Sequence, residues 1–260
     1  MKSALSRLIQ TPRPSLRDLT SARVSLPTTG YSIATEELLN FQLAHAQARD
    51  AVHATLHLPS FTQRLTAELP ILKEASIEVL PLRSNAPDRY AYLRQPNLGR
   101  TLHPDSAALL HQASCQLAII VADGLSSLAI ERNAIPLLAR LLPQLLADTW
   151  TIAPLTLVRQ ARVGICDPIG LALEVSCTLI LIGERPGLSS PDGMSAYLTW
   201  APHQNRTDAD RNCVSNIRVG GLSPEAAATR LLWYLQTART TQRSGVSLKE
   251  GSLTLSDLGR

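Results

Sequence analysis

The chain has 260 residues, of which 45% are hydrophobic, 4% aromatic and 18% charged, a length that fits one large domain or one domain with a helical arm. Its formal net charge is +4, but no run of five Lys or Arg residues occurs, which excludes the concentrated basic stripe typical of nucleic-acid binding. No run of 18 apolar residues and no long apolar N-terminal segment are present, so we expect neither a membrane span nor a secretion signal.

The N-terminal part of the chain predicts an arm followed by helices. Residues 1–33 are rich in Pro, Ser, Thr and Arg and are expected to form an arm or loop. Thr35 is the expected cap of an Ala-rich helix over residues 36–56, which Pro59 should end. A capping-box pattern at Ser60 predicts a second, short helix that ends before Pro70. We therefore predict an N-terminal arm and helical segment over residues 1–73.

From about residue 75 the pattern changes to strands that alternate with helices. The expected helices cover residues 127–146, 167–173 and 223–240, and the expected strands cover residues 76–82, 116–124, 154–160, 175–187, 196–202 and, less clearly marked, 213–219. Alternation of this kind predicts an α/β domain over residues 74–260, with a mainly parallel, Rossmann-like sheet and flanking helices.

Polar loops follow three of the predicted strands. Asp123-Gly124, residues 159–163 and residues 183–187 fall at strand ends, and ligands of such sheets bind at the carboxyl ends of the strands. The sequence contains no G-x-G-x-x-G, no P-loop, no H-E-x-x-H and no G-x-S-x-G motif. A dinucleotide site, a nucleotide triphosphatase, a zinc protease and an α/β-hydrolase are therefore not indicated.

The cysteines and histidines indicate no metal or redox site. Cys115, Cys166, Cys177 and Cys213 form no C-x-x-C pair, and the six histidines are spread along the chain. Isolated reduced cysteines of this kind are typical of the cytoplasm, which is the expected location. We predict no metal ligand in this chain.

The loop Gly183-Glu184-Arg185-Pro186-Gly187 allows two interpretations. It is either a strand-to-helix turn with a surface ion pair, or the position of a functional carboxylate. In the second case Glu184 stands at a strand end and accepts hydrogen bonds, which the primary amides of a large ligand could donate.

The segment over residues 210–217 is a second dense group of polar residues. It precedes or enters an apolar strand and is either a loop or a contact surface. Cys213 can line a ligand wall, but no histidine lies near it in the sequence, so we do not predict catalytic thiol chemistry.

Seven segments in order resemble the small (light) subunit of ethanolamine ammonia-lyase. They are FQLAHAQARDAV (41–52), YLRQPNLGRTL (92–102), IIVADGLSSLAI (119–130), RVGICDPIG (162–170), GERPGLSSPD (183–192), DRNCVSNIR (210–218) and SGVSLKE (244–250). The resemblance covers most of the chain from about residue 35 onward. Its most specific elements are GERPGLSSPD and RNCVSNIR at this separation.

The resemblance implies a heteromeric enzyme with adenosylcobalamin as its cofactor. The cofactor would lie between this chain and the ethanolamine ammonia-lyase large subunit, which would carry the substrate site, and the two would form a higher-order hetero-oligomer. Homolysis of the cobalt–carbon bond would start the conversion of ethanolamine to acetaldehyde and ammonia. No catalytic residue is expected in this chain, which should be inactive alone.

The resemblance assigns cobalamin contacts to Val163, Glu184 and Cys213. The match is imperfect, because Ala161 stands where the family usually has Gly, and the Gly-rich entry to the first helix reads TTGYSIATEELL here. The sequence also lacks D-x-H-x-x-G, the signature of cobalamin proteins that supply a histidine to cobalt. The long N-terminal extension that some members use for microcompartment packaging is not evident, so such packaging is not expected.

The competing hypothesis is a free-standing α/β ligand-binding or regulatory module. It predicts a stable monomer or homodimer that does not change the cobalamin spectrum.

Overall fold

A computed structural model describes residues 15–20 and 22–248 of the chain. Within them the α-helices are α1 (Leu16–Leu19), α2 (Thr35–His53), α3 (Leu58–Glu68), α4 (Ile71–Glu74), α5 (Arg89–Arg94), α6 (Pro104–Ala107), α7 (Ser127–Ala147), α8 (Cys166–Leu173) and α9 (Pro224–Thr241). The strands are β1 (Thr28–Thr29), β2 (Ser32–Ile33), β3 (Val79–Arg83), β4 (Leu117–Ala122), β5 (Leu155–Arg159), β6 (Cys177–Gly183), β7 (Met194–Trp200) and β8 (Arg211–Ile217). Residues 1–14 of the predicted arm and residues 249–260 lie outside the described part.

A six-stranded sheet forms the centre of the described chain, in the order β3-β5-β4-β6-β7-β8. The strands from β3 to β6 pair in parallel, whereas β7 and β8 continue the sheet in antiparallel pairing. All six residues of β4 and all seven of β6 are buried, as expected for apolar strands with both faces covered. The prediction of a mixed α/β fold with a mostly parallel sheet is therefore confirmed.

Helices cover the sheet on both faces. Apolar residues of α3, α7 and α9 pack with one face, together with Leu117, Ile119 and Val121 of β4. Apolar residues of α8 pack with the opposite face, where Ala118 and Ile120 of β4 point. Since α7 follows β4 and α8 follows β5, the chain leaves these adjacent strands toward opposite faces. This arrangement opens a crevice at their carboxyl ends.

The beginning and end of α2 differ from the sequence-based expectation. The N-cap is Ala34, without a side-chain hydrogen bond, so the prediction of Thr35 as cap is wrong. The helix ends at His53, and Pro59 lies in the first turn of α3, where a missing N–H costs nothing.

The cap of α3 also differs from the expectation. The imidazole of His57 accepts a hydrogen bond from the Ser60 N–H, so His57 rather than Ser60 caps the helix. The predicted end before Pro70 is confirmed. Apolar side chains of α3 pack in the same core as the sheet. The division of the chain at residue 74 stays a prediction.

Two strands at the antiparallel edge change the position of the candidate residues. β7 begins at Met194, so the loop after Glu184 leads to a strand and not to a helix as the first interpretation required. β8 begins at Arg211 rather than residue 213, which places Cys213 inside a strand.

No helix within the described ranges is both long and apolar enough to span a bilayer.

Candidate functional site

A cavity of about 420 Å³ lies at the carboxyl ends of β4 and β6. The residues that line it come from both strand ends, from the loop after β5, from β7 and β8, and from α5: Tyr92, Gly124, Leu125, Arg162, Val163, Ile182, Gly183, Glu184, Arg185, Ser195, Tyr197 and Ser215. All three loops that the sequence placed at strand ends contribute to it. The cavity therefore stands at the position where this class of sheet binds ligands.

Two glycines allow the loops after β4 and β6 to touch. A Cβ on Gly183 would overlap the carbonyl oxygen of Ser126, and a Cβ on Gly124 would overlap the carbonyl oxygen of Gly183. Gly124 also has a φ of +56°, which side-chain-bearing residues rarely adopt. The Leu125 N–H donates to the Gly183 carbonyl at 3.0 Å. Both glycines are thus required by the close approach that forms this end of the cavity.

Glu184 lies at the cavity with only one of its oxygens engaged. Oε1 accepts hydrogen bonds from the Ser195 hydroxyl at 2.5 Å and from the Asn216 N–H at 2.7 Å. Among the described residues none donates to Oε2, which lies 2.7 Å from the position a Cβ would take on Gly193. The carboxylate is therefore fixed in orientation and keeps a free acceptor.

A β-bulge brings the Asn216 N–H to Glu184. Met194 pairs with Ile217 and Ala196 pairs with Val214, so Ser195 opposes both Ser215 and Asn216. Asn216 has a left-handed φ of 59°, a conformation that asparagine tolerates better than most residues and that one class of β-bulge uses. The extra residue turns its N–H toward the carboxylate, while Ser215 reaches the cavity.

Cys213 lies at the margin of the cavity. It pairs with Tyr197 across β7 and β8, and the Tyr197 side chain lines the cavity. Burial raises the pKa of Tyr197 to about 12 and also raises the pKa of the Cys213 thiol. A thiol with a raised pKa is protonated at neutral pH, which is opposite to the requirement for a nucleophile.

Val163 lines the cavity from the loop after β5. The turn is held by two hydrogen bonds, from the Arg162 N–H to the Gly99 carbonyl at 2.7 Å and from the Tyr92 hydroxyl to the Ala161 carbonyl at 2.9 Å. The three residues proposed from the sequence therefore meet around one concavity: Val163 and Glu184 line it directly, and Cys213 flanks it.

Asp123 and Arg89 connect two of the loops that form the cavity. The Asp123 carboxylate accepts from the Ala161 N–H at 3.3 Å and lies 4.0 Å from the Arg89 guanidinium, which donates to the Gly124 carbonyl at 2.8 Å. Burial outweighs these partners and raises the pKa of Asp123 to about 6. The pair joins the loops after β4 and β5.

The sequence did not single out Tyr92, Ser195 and Tyr197 as site residues. Ser195 and Tyr197 are alternate residues of β7, so a strand with a known partner and register would have placed both on one face. Tyr92 lies far from the strand ends in sequence and offered no comparable signal.

No group of three or more His, Cys, Asp or Glu residues that could hold a metal ion occurs in the described part of the chain. The four cysteines are free.

Comparison with known proteins gives consistent matches. Residues 10–249 match the family model described as ethanolamine ammonia-lyase light chain (EutC). The chain is similar to the ethanolamine ammonia-lyase small subunit of Pseudomonas putida (strain W619), with 47% identity over 95% of this chain and 91% of that protein. It is 48% identical to the small subunit of Pseudomonas fluorescens (strain Pf-5), over 93% of this chain and 88% of the relative. It is 46% identical to the small subunit of Pseudomonas aeruginosa (strain LESB58), over 90% of this chain and 86% of that protein.

Proposed function

Since this chain belongs to the ethanolamine ammonia-lyase light-chain family, we propose that it forms one wall of an adenosylcobalamin site in a complex with the large subunit. The observation that carries the proposal is the half-engaged carboxylate of Glu184 beside Val163 at the carboxyl edge of the sheet. The large subunit would hold ethanolamine, and this chain alone would be inactive. We also propose a cytoplasmic location and a higher-order hetero-oligomer.

The residues of the cavity fit a corrin with amide side chains. Glu184 Oε2 is a charged acceptor whose orientation is already set by Ser195 and Asn216, so it can receive a primary amide N–H without rearrangement. Leu125, Val163 and Ile182 provide an apolar wall beside it. One charged acceptor among apolar groups is typical of a site that binds a large, mostly apolar ligand and fixes its orientation.

In the proposed reaction this chain positions the cofactor and shields it from water. Bound adenosylcobalamin supplies radical chemistry through homolysis of its cobalt–carbon bond. Glu184 would hold the corrin edge by its amides, and Val163 would keep water from the corrin face. Neither residue would exchange a proton with the substrate.

Elements that contribute residues to the cavity also carry exposed apolar side chains, which supports coverage by a partner chain. Tyr90 on α5 is 66% exposed, Leu188 in the loop after Glu184 is 36% exposed, and Val219 in the turn after β8 is 89% exposed. Large apolar side chains left exposed in a monomer are often covered at protein interfaces. We propose that the large subunit covers these residues and closes the open side of the cavity.

The proposal is tested by titrating adenosylcobalamin into the co-expressed two-chain complex, followed by the corrin absorbance and by ammonia release from ethanolamine. We expect saturable binding and turnover with both chains present, and neither with this chain alone. Size-exclusion chromatography with and without the large subunit tests the assembly. A stable free chain that binds neither the large subunit nor cobalamin would instead support the free-standing α/β module.

The Glu184 contact has its own test. Glu184→Ala removes a charge-assisted hydrogen bond worth on the order of 1.5–3 kcal/mol, so the dissociation constant for cobalamin should rise about tenfold to a hundredfold. Glu68→Gln on α3, an exposed glutamate in an ion pair with Arg64, serves as control and should leave the affinity unchanged. Equal affinity in Glu184→Ala and the wild type would reject the contact.

A further inference from the structure

A second and larger cavity, of about 790 Å³, adjoins the first and shares Arg162 and Val163 with it. Four arginines line it, namely Arg100, Arg162, Arg206 and Arg211, together with the carboxylates of Asp167 and Asp208. The excess of guanidinium groups makes its lining cationic. The contacts proposed above for the corrin lie in the first cavity and assign no ligand group to this second one.

Two of the arginines are engaged within the protein. Arg211 donates to both carboxylate oxygens of Asp167, at 3.0 and 2.7 Å. Arg206 donates to the carbonyls of Trp200 and Ala201, at 3.0 Å each. These two side chains are held in place and give the cavity its rigid wall.

The other two arginines have unused donors. The Arg100 side chain makes no hydrogen bond or ion pair with any residue in the described ranges. The Arg162 guanidinium stacks on the Tyr92 ring at 4.4 Å and donates from Nη2 to the Tyr92 carbonyl at 3.2 Å. Its Nη1 has no hydrogen-bond partner among the described residues, and its Nε also has none but is buried out of a ligand's reach. Guanidinium donors that are placed but not satisfied favour an anionic oxygen ligand.

Backbone donors lie beside these guanidinium groups. Val163 and Gly164 begin the 3₁₀ turn Val163–Ile165 that leads into α8, and no described residue accepts from their N–H groups. The aliphatic stem of Arg100 lies over Gly164, 3.5 Å from the position that a Cβ would occupy there. Charged and backbone donors thus meet at one end of the cavity, an arrangement that suits a phosphate group.

We propose that Arg100 and Arg162, with the N–H groups of Val163 and Gly164, form a subsite for a phosphodiester or phosphate oxygen. This inference rests on the proposed function for its occupant: cobalamin carries one phosphodiester, in its nucleotide loop. The shared Val163 and Arg162 make the two cavities continuous, so one ligand can span the amide acceptor Glu184 and the cationic end.

The experiment compares three probes on the two-chain complex. Adenosylcobalamin contains the nucleotide loop, cobinamide lacks the loop and its phosphate, and inorganic phosphate is the anion alone. Dissociation constants are measured for wild type, Arg100→Gln, Arg162→Gln and the control Arg140→Gln. The Arg140 side chain forms an exposed ion pair with Glu225 between α7 and α9 and lines neither cavity. Absorbance follows the corrin probes, and calorimetry follows phosphate.

We expect Arg100→Gln to weaken adenosylcobalamin binding about tenfold or more and to leave cobinamide binding unchanged. Arg162→Gln, whose side chain also lines the first cavity, should weaken adenosylcobalamin binding more than cobinamide binding. Inorganic phosphate should compete with adenosylcobalamin but not with cobinamide. Arg140→Gln should match the wild type for every probe. Arg100 is exposed, so its variant keeps the test decisive if loss of the Arg162 contacts with Tyr92 disturbs folding.

Two results would overturn the subsite while leaving the proposed function intact. One is equal weakening of adenosylcobalamin and cobinamide in the Arg100 variant, and the other is no weakening of either. The proposed function fails separately if wild-type complex binds neither corrin. Phosphate binding that Arg100→Gln abolishes would then still support the anion subsite, with free phosphate as its occupant.

Discussion

Two carboxylates of this protein lie close to the cavities but have opposite surroundings. Asp167 belongs to a closed cluster, defined here as Cys166, Asp167, Thr199 and Arg211, in which both of its oxygens are bound to Arg211. Glu184 shares one oxygen between Ser195 and Asn216 and keeps the other free. The closed cluster joins α8 to the antiparallel strands and lines the second cavity with the Asp167 oxygens already bound, whereas Glu184 lines the first cavity with one oxygen free. The difference teaches that free acceptor oxygens, more than charge, distinguish a carboxylate that closes a structural cluster from the one that we propose to bind a ligand.

Removal of Asp167 should have the largest effect on folding. In Asp167→Ala the Arg211 side chain, only 2% exposed, keeps its charge in a buried site, with the exposed Asp208 at 4.0 Å as its nearest remaining carboxylate. Loss of one member of a buried pair costs about 3–5 kcal/mol, which urea unfolding would show as a lower midpoint. The exposed Asp105, paired with Arg83, provides the control, and Asp105→Ala should change stability by at most about 0.5 kcal/mol.

The comparison can also be sharpened by a double replacement. Asp167→Leu combined with Arg211→Met removes both charges and should recover most of the stability lost in the single variant. A closed cluster with a purely structural role would then leave cobalamin affinity intact in the double variant. Stability in Asp167→Ala equal to that of the Asp105→Ala control would contradict the assignment.

Asp123 is intermediate between Asp167 and Glu184, because its carboxylate is buried and its partners offset only part of the cost of burial. Its pKa is raised from 3.8 to about 6, so between these values the folded state holds a proton that the unfolded state has lost. The stabilisation of the folded state that comes from the proton on Asp123 is complete below about pH 4. It is lost as the pH rises through about 6. The rise in pKa corresponds to a difference on the order of 3 kcal/mol.

Asp123→Asn isolates this contribution because asparagine does not titrate. The free energy of unfolding, measured at several pH values from 4 to 8, should fall relative to the variant as the pH rises through this window. Parallel curves for wild type and variant would show that Asp123 is ionised in the folded protein throughout.

The smallest expected effect concerns the support of Glu184. Ser195→Ala removes the hydroxyl that donates to Oε1 but leaves the Asn216 N–H in place. We expect a loss of folding stability on the order of 1 kcal/mol, and a weaker effect on cobalamin affinity than in Glu184→Ala. An affinity loss in Ser195→Ala as large as in Glu184→Ala would mean that the hydroxyl itself contacts the ligand.

Much of the parallel part of the fold could be predicted from the sequence. The apolar runs at β4 and β6 are buried on both faces, so their pattern marks them without knowledge of their neighbours. The loops after them carry Gly124 and Gly183, and both loops line the first cavity. The boundaries were less predictable near Thr35 and Pro59, since capping depends on the local path of the chain as well as on residue type.

The antiparallel edge of the sheet, and the side-chain positions that depend on it, could not be predicted from the sequence in the same way. β8 alternates between buried and exposed residues, and a shift of one residue would reverse the faces of its side chains. Its register, and the bulge at Ser215 and Asn216, depend on pairing with β7. The sequence therefore marked Cys213 as a wall residue without indicating that its strand partner Tyr197 would line the cavity instead.

The sequence by itself determined the α/β class, the strand ends that line the first cavity and the family to which the chain belongs, because these depend on local burial patterns and on short motifs. Only the tertiary structure decided which charges are satisfied. Asp167 meets an arginine 44 residues away, and Glu184 meets an N–H 32 residues away. Pairing over such separations follows from strand register and helix packing, which no single segment encodes, and it leaves Glu184 as the carboxylate with a free acceptor at the first cavity.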